Sequence, residues 1–115
     1  MLIRIDPASP VPIFEQLAAS VRRQVLDGAA HAGDRLPSAR ELAESLEINV
    51  HTVLHAYQEL RDEGLVELRR GRGAVLTERA DALAGVEAHV RALVEEARRL
   101  GVSAQTLKTL IQEAY

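Results

Sequence analysis

The sequence predicts a mainly α-helical protein with one β-hairpin, followed by a short tail of two helices. Hydrophobic residues make up 47% of the 115-residue chain and aromatic residues only 3%, a balance typical of helical proteins rather than of β-sandwiches. Apolar residues recur every three or four positions along most of the chain, as on one face of a helix, and alternate clearly after Gly64. This length fits one compact domain with a small appendage.

Composition also excludes several classes of function. The chain has no Cys, so it can form no disulfide, thiolate zinc site or catalytic thiol. No apolar run approaches the roughly 20 residues of a membrane span and Met1 opens no signal peptide, so we expect a cytoplasmic protein with no membrane partner. A net charge of −3 argues against indiscriminate binding to nucleic acid but permits a local basic surface.

A proline-rich segment precedes the first helix. Residues 2–5 alternate weakly between apolar and polar and predict a short strand. Pro12 suits the first turn of a helix that ends at Gly28, and residues 29–37 predict a connecting loop. The buried side of this helix carries apolar residues at every fourth position: Ile13, Leu17, Val21 and Val25.

Two helix-start signals follow within a short stretch. Ser38 with Glu41 three residues later forms a capping box, which predicts a short helix. Asn49 is a second N-cap residue and predicts an amphipathic helix that closes at Gly64. Two short helices joined by such a tight turn outline a helix-turn-helix.

Residues 65–68 and 74–77 predict a two-stranded hairpin, which we call the wing (residues 65–77). Three arginines and two glycines occupy its tip: Arg69, Arg70, Gly71, Arg72 and Gly73. Glycine lets a backbone approach closely, and Arg is attracted to a narrow minor groove. A winged helix-turn-helix of three helices plus this wing is therefore predicted over residues 10–79. In such domains the second helix of the motif enters the major groove of double-stranded DNA and the wing reaches the backbone or the minor groove.

Helix geometry identifies the side chains that this second helix presents to DNA. At about 100° per residue, with Val53 pointing inward, His51 and His55 lie nearly opposite and Thr52 lies on the flank. These three residues, supported by the Asn49 cap, form the predicted DNA-facing set. The wing adds the three arginines of its tip.

Residues 80–115 predict a tail of two helices. The first runs from Asp81 to Leu100 and breaks at Gly101, after which Ser103 can cap the second. The winged domain has its own core, so the apolar residues of the tail are surplus and favour a homodimer interface over packing within one chain. The predicted dimerisation residues are Leu83, Val86, Val90, Leu93, Leu100, Leu107, Leu110 and Ile111.

Several motifs follow one another along the winged domain: Leu-Pro-Ser-Ala-Arg-Glu-Leu-Ala at 36–43, Ala-Tyr at 56–57, Glu-Gly-Leu-Val at 63–66 and Arg-Gly-Arg-Gly at 70–73. With these motifs and its short tail, the chain resembles the GntR family and, within it, the YtrA-type subfamily, whose members lack a large effector domain. The resemblance implies a homodimeric transcription factor, usually a repressor, on a pseudo-palindromic operator.

The resemblance also implies which positions contact DNA. The matching residues are Ser38, Arg40, Asn49, Val50, His51, Thr52, Arg70 and Gly71. Because Ser38 caps its helix, the helix N-terminus can point at a phosphate, and Arg40 can hold that phosphate from the first turn.

This chain departs from the family pattern in three places. Glu47 stands where the turn commonly has Gly, so a positive φ there would carry strain of about 1 kcal/mol or more. Val50 and His51 replace the usual residues at the start of the recognition helix, and His55 occupies a position that is often Arg. The operator preference of relatives therefore does not transfer to this chain.

Other functions have weaker support. His51 and His55 are four residues apart, which is metal-ligand spacing, and Glu59 could complete a site in a metal-responsive regulator. A winged helix that binds protein is a further alternative, although such a face would expose aromatic or aliphatic residues. No constellation of catalytic residues is present, so we expect neither an enzyme nor a cofactor. Whether a small-molecule effector exists is left open.

Overall fold

The computed structural model describes residues 1–71 and 73–115. These residues fall into two compact units, Met1–Ala84 and Gly85–Tyr115; the sequence-based division lay between residues 79 and 80. The described residues form a mainly helical fold with one antiparallel hairpin, as predicted. The elements are α1 (Ile13–Leu26), α2 (Ala39–Leu46), α3 (Val50–Asp62), β1 (Val66–Arg69), β2 (Gly73–Leu76), α4 (Glu78–Arg99) and α5 (Ala104–Ala114).

The strand predicted over residues 2–5 is wrong, because these residues form no regular secondary structure. The segment pairs with side chains of α1 instead of with another strand. The backbone N–H groups of residues 2, 4 and 6 donate, at 3.1, 3.4 and 2.7 Å, to polar side chains spaced four residues apart on that helix: Gln24, Ser20 and Gln16. Ile3 lies between these anchors and is buried in the core.

Both predicted caps of the helix-turn-helix are confirmed. The backbone N–H of Glu41 donates to Ser38 Oγ at 3.1 Å, and the N–H of His51 donates to Asn49 Oδ1 at 2.8 Å. Glu47, which ends α2, has φ 56° and ψ 46°. The turn therefore has a positive φ on a residue other than glycine, which is the condition under which strain was expected there.

The wing has the predicted antiparallel pairing, with Val66 opposite Leu76 and Arg69 opposite Gly73. The loop predicted over residues 29–37 is present, and within it Arg35 forms an isolated antiparallel bridge with Val75 of β2. The N–H of Leu76 donates to the Asp34 carbonyl at 2.8 Å, and the N–H of Leu36 donates to the Ala74 carbonyl at 2.9 Å. The base of the wing is thus held by a short third segment.

The core of the Met1–Ala84 unit lies between the first three helices and the wing. Its most deeply buried large side chains are Leu17, Val21, Val25, Val53 and Leu60. Tyr57 closes one side, with its hydroxyl donating to the Pro37 carbonyl at 2.6 Å. Burial, and secondarily the nearby Glu41 carboxylate, raise the pKa of the Tyr57 hydroxyl above its usual value, so it stays a donor.

The first turns of α4 also belong to this core. The helix begins at Glu78, earlier than the predicted Asp81, and Ala80 is fully buried. Leu83 is half-buried and packs against the same core. The sequence predicted Leu83 at a dimer interface; within one chain its side chain packs against the core of its own unit, and its part in dimerisation stays a prediction.

The Gly85–Tyr115 unit consists of the rest of α4 and α5. The predicted break is present: Gly101 has φ 74°, and Ser103 Oγ caps α5 by accepting from the Thr106 N–H at 3.1 Å. Ala97 is buried and Leu107 is half-buried. Large apolar side chains remain exposed on this unit: Val86, Val90, Leu93, Leu100, Leu110 and Ile111. No helix within the described residues is long and apolar enough to cross a membrane.

Candidate nucleic-acid interface

The start of α2 presents two of the predicted contact residues. Ser38 and Arg40 are both exposed. The Ser38 hydroxyl is held by its cap bond to Glu41, which fixes the direction of the free N–H groups in the first turn. Arg40 makes no ion pair within the described part of the chain, so its guanidinium is available to an anion. A phosphate contact at this end of α2 stays a prediction, and the exposed first turn and Arg40 are compatible with it.

The start of α3 carries the predicted reading residues. His51 is exposed and Thr52 half-buried, and the helix begins at Val50, which is also half-buried. His51 therefore lies where the predicted outward face requires it. The Asn49 cap positions it by fixing the first turn.

His55 is exposed but already has neighbours. Its ring stacks on Phe14 of α1, with ring centroids 3.9 Å apart and planes 18° from parallel. Its Nε2 lies 3.8 Å from Glu59 Oε1 on the next turn. His55 thus occupies the edge of the outward face next to α1. Sequence periodicity could not reveal this contact, because Phe14 belongs to a different helix.

The wing tip carries the predicted cations. Arg69 forms an ion pair with Glu67 of its own strand, with Nη2 to Oε2 at 3.0 Å. Arg70 is exposed, as is Gly71, which has φ 79°. Arg72 lies outside the described residues, so its DNA contact stays a prediction.

One cleft brings the wing tip to the start of α2. It has a volume of about 470 Å³ and is lined by Arg35, Leu36, Ser38, Glu41, Gly71 and Gly73. Sequence reasoning missed Arg35, which it had placed in a loop. The pairing of residues 33–36 with β2 is what carries Arg35 to the wing.

A second cleft lies between α3 and the wing, and its floor is apolar. Its volume is about 320 Å³. Leu54 of α3 and Leu68 of β1 line it and are 41% and 43% exposed, with Tyr57, Ala39 and Ala74 below them. Ser38, Arg69 and Arg70 also line it. Sequence reasoning missed both leucines, although Leu54 could have been noticed as an apolar residue off the buried face of α3.

The metal-site alternative gains no third ligand. Among the described residues, no three His, Asp or Glu side chains come together as a group that could hold a metal ion.

Comparison with known proteins identifies similar chains. The family model for bacterial regulatory proteins of the gntR family matches residues 13–76. The HTH-type transcriptional repressor YtrA of Bacillus subtilis is 36% identical, over 97% of this chain and 91% of that protein. The HTH-type transcriptional regulator Rv1152 of Mycobacterium tuberculosis is 35% identical, over 88% of this chain and 84% of the relative.

Solved structures give the same result. The YtrA structure from Sulfolobus acidocaldarius, a GntR-family transcription factor, is 35% identical with a TM-score of 0.63, over 82% of this chain and 99% of that one. A GntR family transcriptional regulator from Listeria monocytogenes is 28% identical with a TM-score of 0.61, over 95% of this chain and 98% of that one. These matches extend along the wing and the helical tail as well as the helix-turn-helix.

Proposed function

Since the chain belongs to the GntR family of bacterial regulatory proteins, we propose that it is a homodimeric repressor that binds a pseudo-palindromic operator. Family membership makes it a DNA-binding transcriptional regulator and not an enzyme. The direction of regulation, repression, is supported by the name of the Bacillus subtilis relative, a transcriptional repressor.

The observation that carries this proposal is the position of Ser38. Its side chain lines both clefts described above: one with the wing-tip glycines and one with Leu54 of α3. The start of α2, the outer side of α3 and the wing therefore meet around one residue. A duplex that approaches Ser38 would meet all three elements.

Within this docking mode each element has a distinct role. The start of α3, with Asn49, Val50, His51 and Thr52, enters the major groove and reads base edges. Ser38 and Arg40 hold a phosphate beside it through the first turn of α2. The wing cations Arg69, Arg70 and Arg72 contact the adjacent backbone or minor groove, which Gly71 allows the chain to approach. His55 follows at the edge of this surface, beside Phe14.

Dimerisation is supported by the exposed apolar surface of the Gly85–Tyr115 unit. Val86, Val90 and Leu93 are 57%, 44% and 42% exposed on one stripe of α4, and such a stripe is expected to be covered by a partner. Leu100, Leu107, Leu110 and Ile111 extend the predicted interface. A second copy would also bring a second recognition helix to the other half-site of the operator, because a single recognition helix contacts too few base pairs to be selective.

A selection experiment tests the proposal. The full chain is incubated with a random-sequence duplex library, and the enriched sequences are measured by gel shift across a salt series. We expect an inverted repeat bound by two chains, with an affinity that falls as salt rises because phosphates are neutralised. No enrichment of any sequence, or one chain per bound duplex, would contradict it.

The alternative of a protein-binding winged helix has one observation in its favour, the exposure of Leu54 and Leu68. Both leucines are bordered by arginines of the wing. This cationic border, together with the family assignment, favours DNA.

A further inference from the structure

We propose that the apolar cleft between α3 and the wing receives a deoxyribose of the DNA backbone, so that Leu54 and Leu68 distinguish DNA from RNA at that sugar. This inference rests on the docking mode proposed above. It gives a function to two exposed leucines that neither base reading nor phosphate binding accounts for.

In the proposed docking mode α3 occupies the major groove and the wing reaches the adjacent minor groove. The wall between two adjacent grooves is a single sugar-phosphate strand, so that strand must cross the space between α3 and the wing. The cleft lined by Leu54 and Leu68 occupies that space.

A DNA strand presents phosphates separated by sugars, and the C2′ methylene of each sugar is apolar. The cleft has the matching arrangement: leucine and alanine side chains on its floor, and Arg69 and Arg70 beside them. The Arg70 guanidinium makes no ion pair within the described residues, whereas Arg69 is already neutralised in part by Glu67 at 3.0 Å. A sugar on the leucines therefore places a flanking phosphate next to Arg70.

A ribose differs from a deoxyribose by its 2′-hydroxyl. Of the two hydroxyl groups that line the cleft, that of Tyr57 is on a side chain only 4% exposed and donates its proton to the Pro37 carbonyl at 2.6 Å. Ser38 Oγ accepts from the Glu41 N–H at 3.1 Å, and in the proposed docking mode its proton is donated to the phosphate at the start of α2. A ribose at this position would bury its hydroxyl against Leu54 and Leu68. A buried hydroxyl without a partner is destabilising, so a ribonucleotide should be rejected at this sugar.

The test is a ribonucleotide scan of the selected operator. Each deoxynucleotide of one half-site is replaced in turn by the ribonucleotide, and affinity for the full chain is measured by fluorescence anisotropy. We expect one sugar position per half-site at which binding weakens about tenfold, the penalty of one buried unpaired hydroxyl. Elsewhere the change should stay within about twofold, as expected for sugars that face solvent. A 2′-fluoro sugar, which shares the ribose pucker but donates no hydrogen bond, should restore binding at the sensitive position.

Variants assign the effect to the cleft. Leu54→Ala and Leu68→Ala should remove most of the discrimination between deoxyribose and ribose. The shortened side chains leave room for water, which then solvates the 2′-hydroxyl. Leu68→Thr should reduce the penalty by offering a hydroxyl partner on the same strand position. Leu2→Ala, which shortens another exposed leucine (64% exposed) away from the cleft, should leave the scan unchanged. All three leucines are partly solvated, and thermal melts verify that each of the four variants folds.

The outcomes separate this inference from the proposed function. A selected operator with a flat ribonucleotide scan would overturn the sugar contact while leaving DNA binding intact. Failure to select any operator would instead overturn the proposed docking itself. The cleft can also be probed with the apolar anion 1-anilinonaphthalene-8-sulfonate. If the scan is flat and the full chain binds this anion but Leu54→Ala does not, the cleft would be assigned to a small ligand and not to DNA.

Discussion

Glu47 adopts the left-handed backbone conformation, with φ 56° and ψ 46°, and it is the one residue other than glycine with a positive φ in the described part of the chain. This conformation costs a residue with a Cβ about 1–2 kcal/mol. Glu47→Gly should therefore raise the free energy of unfolding by about 0.5–1 kcal/mol, after the added flexibility of the unfolded glycine is subtracted. Urea denaturation measures the change.

A matched control for Glu47 lies one turn earlier. Glu44 is also exposed and sits inside α2, where glycine is a poor helix former. Glu44→Gly should lower the free energy of unfolding by about 1 kcal/mol. Both variants make the same change to the unfolded chain. If Glu47→Gly also lowers the free energy of unfolding, as Glu44→Gly should, then backbone strain at Glu47 is not relieved by glycine.

Tyr57 makes stability depend on alkaline pH. Burial first, and the Glu41 carboxylate second, raise the pKa of its hydroxyl in the folded state. Above the ordinary tyrosine pKa of about 10, the unfolded chain releases a proton that the folded chain retains. The free energy of unfolding should then fall as pH rises, by up to about 1.4 kcal/mol per pH unit from this group.

The chain's other tyrosine provides the comparison. Tyr57→Phe should abolish this part of the alkaline slope, and it should cost about 1 kcal/mol at neutral pH through the lost bond to Pro37. Tyr115 is fully exposed at the C-terminus, so Tyr115→Phe should change neither quantity. Urea melts at several pH values decide the matter. An unchanged alkaline slope in Tyr57→Phe would assign it to another group.

At the scale of elements, the wing should contribute affinity more than sequence choice. Replacing Arg70 and Arg72 together with Ala should weaken binding to all sequences and flatten the salt dependence by about one unit of slope per lost phosphate contact. Arg4→Ala, which removes another exposed arginine on the N-terminal segment, is the control and should leave the slope unchanged. Loss of specificity with an unchanged slope would mean that the wing reads bases.

Elements that carry local signals could be predicted from the sequence. Ser38, Asn49 and Ser103 each start a helix and each makes its cap bond, because an N-cap depends on residues only two or three positions away. The wing strands follow from the change of period after Gly64. Fold class and the location of the candidate interface both follow from these signals.

Features made by contacts between distant segments could not be predicted. Residues 33–36 pair with β2 over too short a stretch to show an alternation of apolar and polar residues in the sequence. The N-terminal segment is held by hydrogen bonds to side chains of α1. The cleft between Leu54 and Leu68, and the stack of His55 on Phe14, each join two separate elements. Periodicity gives the direction of a side chain from its own helix or strand, but it does not identify the neighbour.

At the scale of the whole molecule, the tail is expected to hold the dimer together. Truncation after Ala84, the end of the first compact unit, should leave a folded monomer with much weaker operator binding. Truncation after Arg79 should be less stable by about 1–3 kcal/mol, because it also removes Ala80 and Leu83 from the core. Light scattering gives the oligomeric state and thermal melts the stability.

A point substitution tests the interface without truncation. Leu93→Asp in the full chain should also give a monomer, because a charge in an apolar interface costs several kcal/mol unless it is paired. Leu2→Asp is the matched control, since Leu2 is exposed outside the tail. A stable dimer in the Ala84 truncation or in Leu93→Asp would place the interface elsewhere.

The strained turn at Glu47 also bears on how this chain can evolve. Glutamate and glycine codons differ by a single base, so relief of the positive φ lies within one point mutation of the present gene. A library of random mutants screened for survival after heating should therefore recover Glu47→Gly early. Its carriers should keep their operator, since the substitution relaxes the turn and leaves the side chains of α3 unchanged.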